Sequence, residues 1–383
     1  MTPLLSRFRA AVSRKGKRGS VSFGSKESAW KRLPSDVFVV IVAFCELEDI
    51  KSLALTCRLL HYLVFKNEFA ISRAYIERRK QRPGLEGCKT STLPGDDLTF
   101  ISELFPPPPP HYTWGNDQAN PEYSLGYLAD LTRCWTTCVQ LSYHLADQVI
   151  QHHLVTDAVA RGLWNSSKTE KEVVFSKAVG ILQAKLLYPI AYTIFFLESS
   201  APPCPDPDSS GQFSRCTPSV EQQQSILQKP PFTDTQVLIA THHCMQLLCS
   251  TVRRLMSPDF SHSSSEGCVS LLLTTSTLEK IVDFFLAIAK DERIREATPS
   301  PSIWSHRKEF MWQMRKELGD YMMPAGPAGN QTTPRPSLDQ IWFQVAGNEL
   351  ARRGAIPHTV DDSVPVLHGS VVTLQCKFCY DGE

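Results

Sequence analysis

Three features of this 383-residue sequence predict an all-α fold. Apolar residues recur three to four positions apart over long segments, which is the spacing of one helix face. Prolines cluster between those segments, where they separate helices. The sequence has no fixed-period repeat, so a solenoid or propeller is not expected. Hydrophobic residues make up 42% of the chain, which is enough to build a sizeable core.

The proline clusters divide the chain into predicted segments. Five consecutive prolines at 106–110 favour extended polyproline II, either as a semi-rigid connector or as a ligand for an aromatic-lined groove. We favour the connector. The predicted order is a basic tail (1–28), a small three-helix module (29–80), a proline-rich linker (81–120), an irregular multi-helix body (121–320) with a loop at 201–232, and a last linker, helix and tail (321–383).

Residues 1–28 are predicted to form a disordered basic tail. The first 26 residues carry seven positive charges and precede the first acidic residue, Glu27. N-terminal segments without acidic residues also resemble mitochondrial transit peptides. Residues 14–18 match a basic nuclear localisation signal. The formal net charge of the whole chain is only +1, so no nucleic-acid partner is expected.

Helical spacing in the body is strongest in six segments. The first begins at Tyr123, and the other five cover 170–197, 234–256, 277–297, 304–318 and 337–353. A strand is also predicted from Val371 to Leu374. The second segment is expected to bend at Pro189, whose ring blocks a helix interior. Its apolar stretch, 186–197, is shorter than the roughly 20 residues that cross a bilayer. It therefore predicts a buried core helix, and no membrane partner is expected.

The cysteines indicate a reducing compartment. There are twelve, scattered along the chain with no secretory segment before them, which predicts the cytoplasm or the nucleus. Cys376 and Cys379 have the spacing of half a zinc site, with His358 and His368 upstream. Structural zinc commonly needs two close ligand pairs, and the second pair is missing here. Two ordinary thiols are the favoured interpretation.

No metal, cofactor or catalytic residue is expected from the remaining patterns. His152-His153 and His242-His243 are adjacent pairs, and neighbours on a helix point away from each other. Core or surface histidines are therefore the expected roles. The sequence contains no phosphate-binding glycine loop, nucleophile elbow or zinc-protease motif.

The segment 33–65 has the most distinctive pattern. Pro34 suits the first position of a helix, and Asp36 places a negative charge near its positive end. Every residue from 37 to 45 is apolar, so this helix must be covered on all sides. Three short helices cannot bury so many apolar groups among themselves, because small domains have too much surface. Either another protein or the chain's own body has to cover them.

Two more helices are predicted behind the first. One begins near Glu48 and Asp49 and ends at Arg58. Its apolar face consists of Ile50, Leu53, Ala54 and Cys57. A third apolar turn begins with Leu59, Leu60, Leu63 and Val64.

This segment resembles an F-box, the short three-helix module that binds the Skp-type adaptor of cullin-based (SCF) ubiquitin ligases. Leu33-Pro34 matches the opening Leu-Pro, and Ile41 matches the central Ile. Asp49-Ile50 matches the Asp-Leu that opens the second helix, while Leu53 and Thr56-Cys57-Arg58 match its end. The spacing needs no gap.

Four positions depart from the F-box pattern. Asp36 stands where the family usually has Glu, while Cys45, Glu46 and Leu60 replace the usual Leu, Pro and Trp. The last three replacements leave the helices and their apolar character intact. The layout, with a non-repeat helical body behind the module, is similar to that of many fungal F-box proteins.

The resemblance implies a substrate-recruiting subunit of an SCF-type ubiquitin ligase that is not itself an enzyme. Its partners would be the Skp-type adaptor, the cullin and a substrate protein of unknown identity. Seven residues would form the adaptor face or the core of the module: Leu33, Pro34, Val37, Ile41, Ile50, Leu53 and Cys57. Two alternatives stay open, an F-box scaffold without a ligase role and a helical mitochondrial or enzymatic protein whose apolar N-terminal helices are ordinary core.

Overall fold

A computed structural model describes most of the chain. The described residues are 29–80, 98–107, 123–156, 168–200, 220–256, 268–269, 271–272, 278–297, 305–322, 338–355, 365–368 and 371–374. Their fold is all-α, as predicted, with one two-stranded hairpin after the last helix. The predicted basic tail (1–28), the prolines 108–110 and the Cys376/Cys379 pair lie outside the described residues.

The elements follow one another as a series of helices. They are α1 (Ala29–Arg32), α2 (Ser35–Ala43), α3 (Leu47–Thr56), α4 (Arg58–Lys66), α5 (Glu68–Lys80), α6 (Leu98–Leu104), α7 (Leu125–Thr156), α8 (Lys168–Ser200), α9 (Val220–Leu227), α10 (Thr235–Met256), α11 (Glu279–Ala297), α12 (His306–Met322), α13 (Leu338–Arg352), β1 (Pro365–His368) and β2 (Val371–Leu374). The strands pair antiparallel, with Pro365 opposite Leu374. The predicted strand at 371–374 is confirmed.

The chain forms two compact units, residues 1–74 and 75–383, and the division falls inside α5. In the first unit, Pro34 directly precedes α2, and the amide of Phe38 donates to the Pro34 carbonyl at 3.0 Å. Helices α3 and α4 pack against each other. This is the unit that contains the F-box-like segment.

The prediction that the second helix ends at Arg58 is wrong. Helix α3 ends at Thr56, Cys57 is extended with φ −159° and ψ 159°, and Arg58 begins α4. The Thr56 hydroxyl donates to the Leu53 carbonyl at 2.7 Å, which satisfies one acceptor at the helix end. The second helix therefore ends two residues earlier than predicted.

Two segments predicted as linker or loop contain helices. Helix α6 lies within the predicted linker 81–120, and α9 lies within the predicted loop 201–232. Both are short and pack against longer helices of the body, α6 on α7 and α8, and α9 on α8 and α13. Helices this short depend on tertiary packing for most of their stability, so their sequences carry little local helical signal. The prolines around them therefore led to the linker and loop predictions. The side chains that α6 buries are Leu98, Ile101, Ser102 and Leu104.

The body is built around α7 and α8, two long helices that pack along each other. Helix α8 continues through Pro189 to Ser200, and Ile190 and Ile194 are fully buried, as expected for the predicted core helix. By length and composition Thr169–Ser200 would be apolar enough to cross a membrane. However, 56% of its most apolar window is buried inside the fold, and core helices pass the same test.

Helix α13 is fixed to the body by an aromatic cluster and by a buried ion pair. The ring of Trp342 lies 4.6 Å from that of Phe196 and 6.0 Å from that of Phe232, measured between centroids. The fully buried carboxylate of Glu349 accepts hydrogen bonds from Arg352 and Arg353. The ion pair lies within α13 itself, and the Arg353 guanidinium also donates to the carbonyls of Phe232 and Leu227. These bonds and the Trp342–Phe232 contact place α13 against the connection between α9 and α10.

Helix α12 is held on α11 at both of its ends. At its start the carboxylate of Asp291 accepts hydrogen bonds from the amides of His306 (2.8 Å) and Arg307 (3.0 Å) and from the Ser305 hydroxyl. Burial opposes ionisation of Asp291, but these hydrogen bonds outweigh it and lower the pKa of the carboxyl. Further along, Lys280 on α11 pairs with Glu317 on α12.

Candidate protein-binding surface

Within the described residues, helix α2 has two apolar sides, of which one is buried and the other is about half exposed. The exposed fractions of Val37, Val40, Ile41 and Phe44 are 44%, 53%, 42% and 59%. These four residues, called the outer stripe below, are spaced at i, i+3, i+4 and i+7 and therefore share one face. The buried residues of α2 are Phe38, Val39, Val42 and Ala43. The apolar run that begins at Val37 thus supplies one face to the core and one to solvent.

The outer stripe is presented by a packed scaffold. The rings of Phe38 and Trp30 meet edge to face, with centroids 6.0 Å apart. Helices α3 and α4 bury five apolar side chains in the same unit. These are Leu47, Ile50, Ala54, Leu60 and Val64. Since α2 is fixed by its inner side, the outer stripe can be substituted without removing a side chain of this buried set.

Exposed apolar side chains are concentrated in this unit. Among the described residues, eight of the thirteen exposed large hydrophobic side chains lie between positions 37 and 69. Besides the outer stripe they are Leu55, Tyr62, Phe65 and Phe69. Such a concentration is typical of protein-interaction sites, because apolar side chains on a monomer surface are normally scattered.

Two of these aromatic residues have polar neighbours. The rings of His61 and Phe65 lie 4.5 Å apart between centroids, and the Lys66 ammonium lies 5.7 Å from the centre of the Tyr62 ring. Interfaces favour aromatic side chains in such settings, since the ring supplies apolar area and the rim stays polar.

The start of α3 is acidic and exposed. Glu48 and Asp49 lie in its first turn, near the positive end of the helix dipole. The Glu48 carboxylate pairs with Lys51 at 2.9 Å, in a solvent-exposed geometry that contributes at most about 1 kcal/mol. The first unit therefore combines apolar helix faces with a charged edge.

The structure separates the seven residues predicted for binding or core. Pro34, Val37, Ile41 and Cys57 are exposed, Leu33 and Leu53 are partly exposed, and Ile50 is fully buried. Val37 and Ile41 lie together in the outer stripe, whereas Ile50 belongs to the core. Sequence reasoning missed Val40 and Phe44, although their spacing from Val37 and Ile41 carried the signal.

The histidine pairs of the body lie on α7 and α10. Burial lowers the pKa of His242 and of His243 to about 4, so both imidazoles are neutral at pH 7. His153 is buried and His152 is exposed. Within the described ranges, no group of three or more His, Cys, Asp or Glu side chains is arranged to hold a metal ion.

One carboxyl group of the body titrates near neutral pH. Burial raises the pKa of Glu198, Arg133 opposes the change and Asp130 adds to it, so that the pKa is about 7. Arg133 itself contacts Asp130 at 3.1 Å and Glu279 at 3.4 Å. Three carboxylates therefore surround a single guanidinium where α7, α8 and α11 meet, which makes this junction sensitive to pH.

Comparisons of the chain with models of known protein families, with curated proteins and with solved structures found no match. The F-box resemblance rests on the residues of segment 33–65.

Proposed function

We propose that this chain is the substrate-recruiting subunit of an SCF-type cullin ubiquitin ligase. Residues 29–80 bind the Skp-type adaptor, and the helical body holds the target protein. The observation that supports this proposal is the outer stripe of α2, a solvent-exposed apolar face on a helix that directly follows the F-box-like Leu33-Pro34. Two of its members, Val37 and Ile41, belong to the residues that the resemblance assigns to the module.

The energetics favour a protein partner for this face. Burying a Val, Ile or Phe side chain completely contributes about 1.5–3 kcal/mol. The four side chains of the outer stripe are already about half buried, so covering the remainder would contribute roughly 3–5 kcal/mol. That gain supports a stable interface only together with further contacts, because association itself costs translational and rotational freedom.

The mechanism is proximity. The adaptor fixes the first unit to the cullin assembly while the body retains the target. Tethering raises the effective concentration of target lysines near the ubiquitin-carrying enzyme. No side chain of this chain acts as an acid, base or nucleophile in that scheme.

The test measures binding of the Skp-type adaptor to the full-length chain. The variant Val37→Ala/Ile41→Ala/Phe44→Ala removes most of the outer stripe while keeping good helix formers in α2. It should bind the adaptor about 100-fold more weakly, which corresponds to about 3 kcal/mol. The matched control, Tyr143→Ala/Val173→Ala, removes exposed apolar side chains from α7 and α8 and should bind like the wild type.

Circular dichroism checks that both variants retain their helices. If the wild type does not bind the adaptor, the proposed function is wrong. If the outer-stripe variant and the control bind equally well, the outer stripe is not the adaptor face. Adaptor binding without recruitment of the cullin would instead favour the scaffold alternative.

A further inference from the structure

Helix α12 carries a tryptophan that the fold does not use. The side chain of Trp312 is 69% exposed, while Met311 and Met314 on the opposite side of the helix are buried. The ring of Phe310 packs at 5.3 Å from that of Phe284, measured between centroids. Among the described residues, α12 thus packs on the core through Phe310, Met311 and Met314, while Trp312 lies on its exposed side. Tryptophan is among the residue types that contribute most binding energy at protein interfaces. An exposed tryptophan on a fixed helix therefore indicates a candidate contact for a partner.

The residues around Trp312 are basic. Lys308, Arg315 and Lys316 lie four before, three after and four after it, so all three share its face of the helix. All are exposed, and none of the three side chains forms an ion pair within the part of the chain that the structure describes. The α12 face is defined here as Lys308, Trp312, Arg315 and Lys316. Glu309, three residues before Trp312, lies on the same side of the helix, which leaves three cations against one carboxylate.

The face has a fixed position and a limited length. Asp291 anchors the start of α12, and the Lys280–Glu317 pair holds it against α11 further along. From Lys308 to Lys316 the helix rises by about 12 Å. An extended peptide covers that distance with about four residues. The face thus presents one apolar contact with positive charge on both sides of it.

From this arrangement we infer that the α12 face binds an acidic peptide segment that carries an apolar side chain between its carboxylates. Resting on the proposed function, the inference identifies this segment as part of the target protein that the body recruits. The apolar side chain packs on Trp312, and the flanking carboxylates pair with Lys308, Arg315 and Lys316. Charge complementarity selects an acidic partner and speeds association, while the tryptophan contact supplies affinity.

The other anionic partners fit less well. A membrane-binding helix needs a broad apolar face along its length, whereas this face contains one apolar residue. Nucleic-acid binding typically depends on about 6–10 phosphate contacts along a basic stripe, and three cations over about 12 Å do not provide them.

The test uses three labelled heptapeptides and the full-length chain, with fluorescence anisotropy at about 0.1 M salt. Asp-Glu-Asp-Leu-Phe-Asp-Glu is acidic and apolar, Asn-Gln-Asn-Leu-Phe-Asn-Gln lacks the charge, and Asp-Glu-Asp-Ser-Ser-Asp-Glu lacks the apolar residues. Only the first should bind measurably. Trp312→Ala and Lys308→Glu/Lys316→Glu should each weaken its binding by about tenfold or more.

The control Lys177→Glu/Lys229→Glu changes the net charge equally at exposed positions away from α12 and should leave binding within about twofold of wild type. If both charge-reversal variants lose the same affinity for the first peptide, binding depends on general electrostatic attraction and the inference is wrong. The inference is also wrong if the first peptide does not bind the wild type. Tighter, Trp312-dependent binding of anionic vesicles or a single-stranded oligonucleotide would overturn the peptide assignment. Peptide binding without adaptor binding would retain the α12 face and remove the ligase role.

Discussion

Replacing Arg353 with methionine should lower the free energy of unfolding of the helical body by about 2–4 kcal/mol. Arg353 is the side chain that connects α13 to the chain between α9 and α10. Its guanidinium donates to Glu349 Oε1 at 2.7 Å, and to the carbonyls of Phe232 at 2.9 Å, Thr233 at 3.2 Å and Leu227 at 3.3 Å. Methionine keeps a long apolar side chain but supplies none of these donors.

The magnitude follows from what remains after the substitution. Removing one partner of a buried ion pair typically costs about 3–5 kcal/mol, because the other charge stays buried. The Glu349 side chain is 0% exposed, but it retains Arg352, whose Nη2 lies 2.6 Å from Oε1. The second arginine reduces the cost, while the lost bonds to three backbone carbonyls add to it.

The effect should depend on pH with a definite sign. The hydrogen bond from Arg352 is the largest influence on Glu349, and with Arg353 it lowers the pKa of the carboxyl although burial opposes this. A lowered pKa stabilises the fold above the unfolded value of about 4.3, and this contribution is lost as the pH falls through the folded-state pKa. The difference between wild type and variant should therefore shrink in acid.

Urea unfolding followed by far-ultraviolet circular dichroism measures the change, and hydrogen exchange at residues 228–234 locates it. Arg315→Met is the matched control. Because Arg315 is exposed, this variant should have the same urea midpoint as the wild type. The reasoning is refuted if Arg353→Met has the same urea midpoint as the wild type and the same hydrogen-exchange rates at residues 228–234.

Two further predictions concern a helix end and a buried carboxyl. Gly354 has φ +68°. Its amide donates to the Ala351 carbonyl, and the Ala355 amide donates to the Leu350 carbonyl, so these bonds end α13. Gly354→Ala should cost about 1–2 kcal/mol in urea unfolding, and no loss would contradict the left-handed cap. Since Glu198 has a folded-state pKa of about 7, above its unfolded value, the wild type loses stability as the pH rises through that interval. Urea midpoints at pH 5 and pH 8 should show a larger decrease in the wild type than in Glu198→Gln, in which Asp147, whose pKa burial raises to about 6, still contributes; equal changes in both would exclude Glu198 as the cause.

The long helices were predictable because their signal is local. Residues three and four apart on one helix share a face, so the apolar spacing of α7, α10 and α13 was readable without knowledge of their neighbours. The uniformly apolar run 37–45 likewise predicted a helix that needs covering on all sides. Short helices such as α6 and α9 carried too little local signal, because their stability comes from packing on other helices.

The sequence by itself determined that the chain is all-α and that proline-rich segments punctuate it, and it predicted a resemblance to an F-box near the start. Only the tertiary structure decided which apolar side chains face solvent. It separated the outer stripe of α2 from the buried Ile50, left Trp312 exposed among cations, and joined Arg353 to carbonyls more than a hundred positions earlier. Periodicity is set by neighbours along the chain, whereas burial and charge pairing are set by residues that meet only after folding.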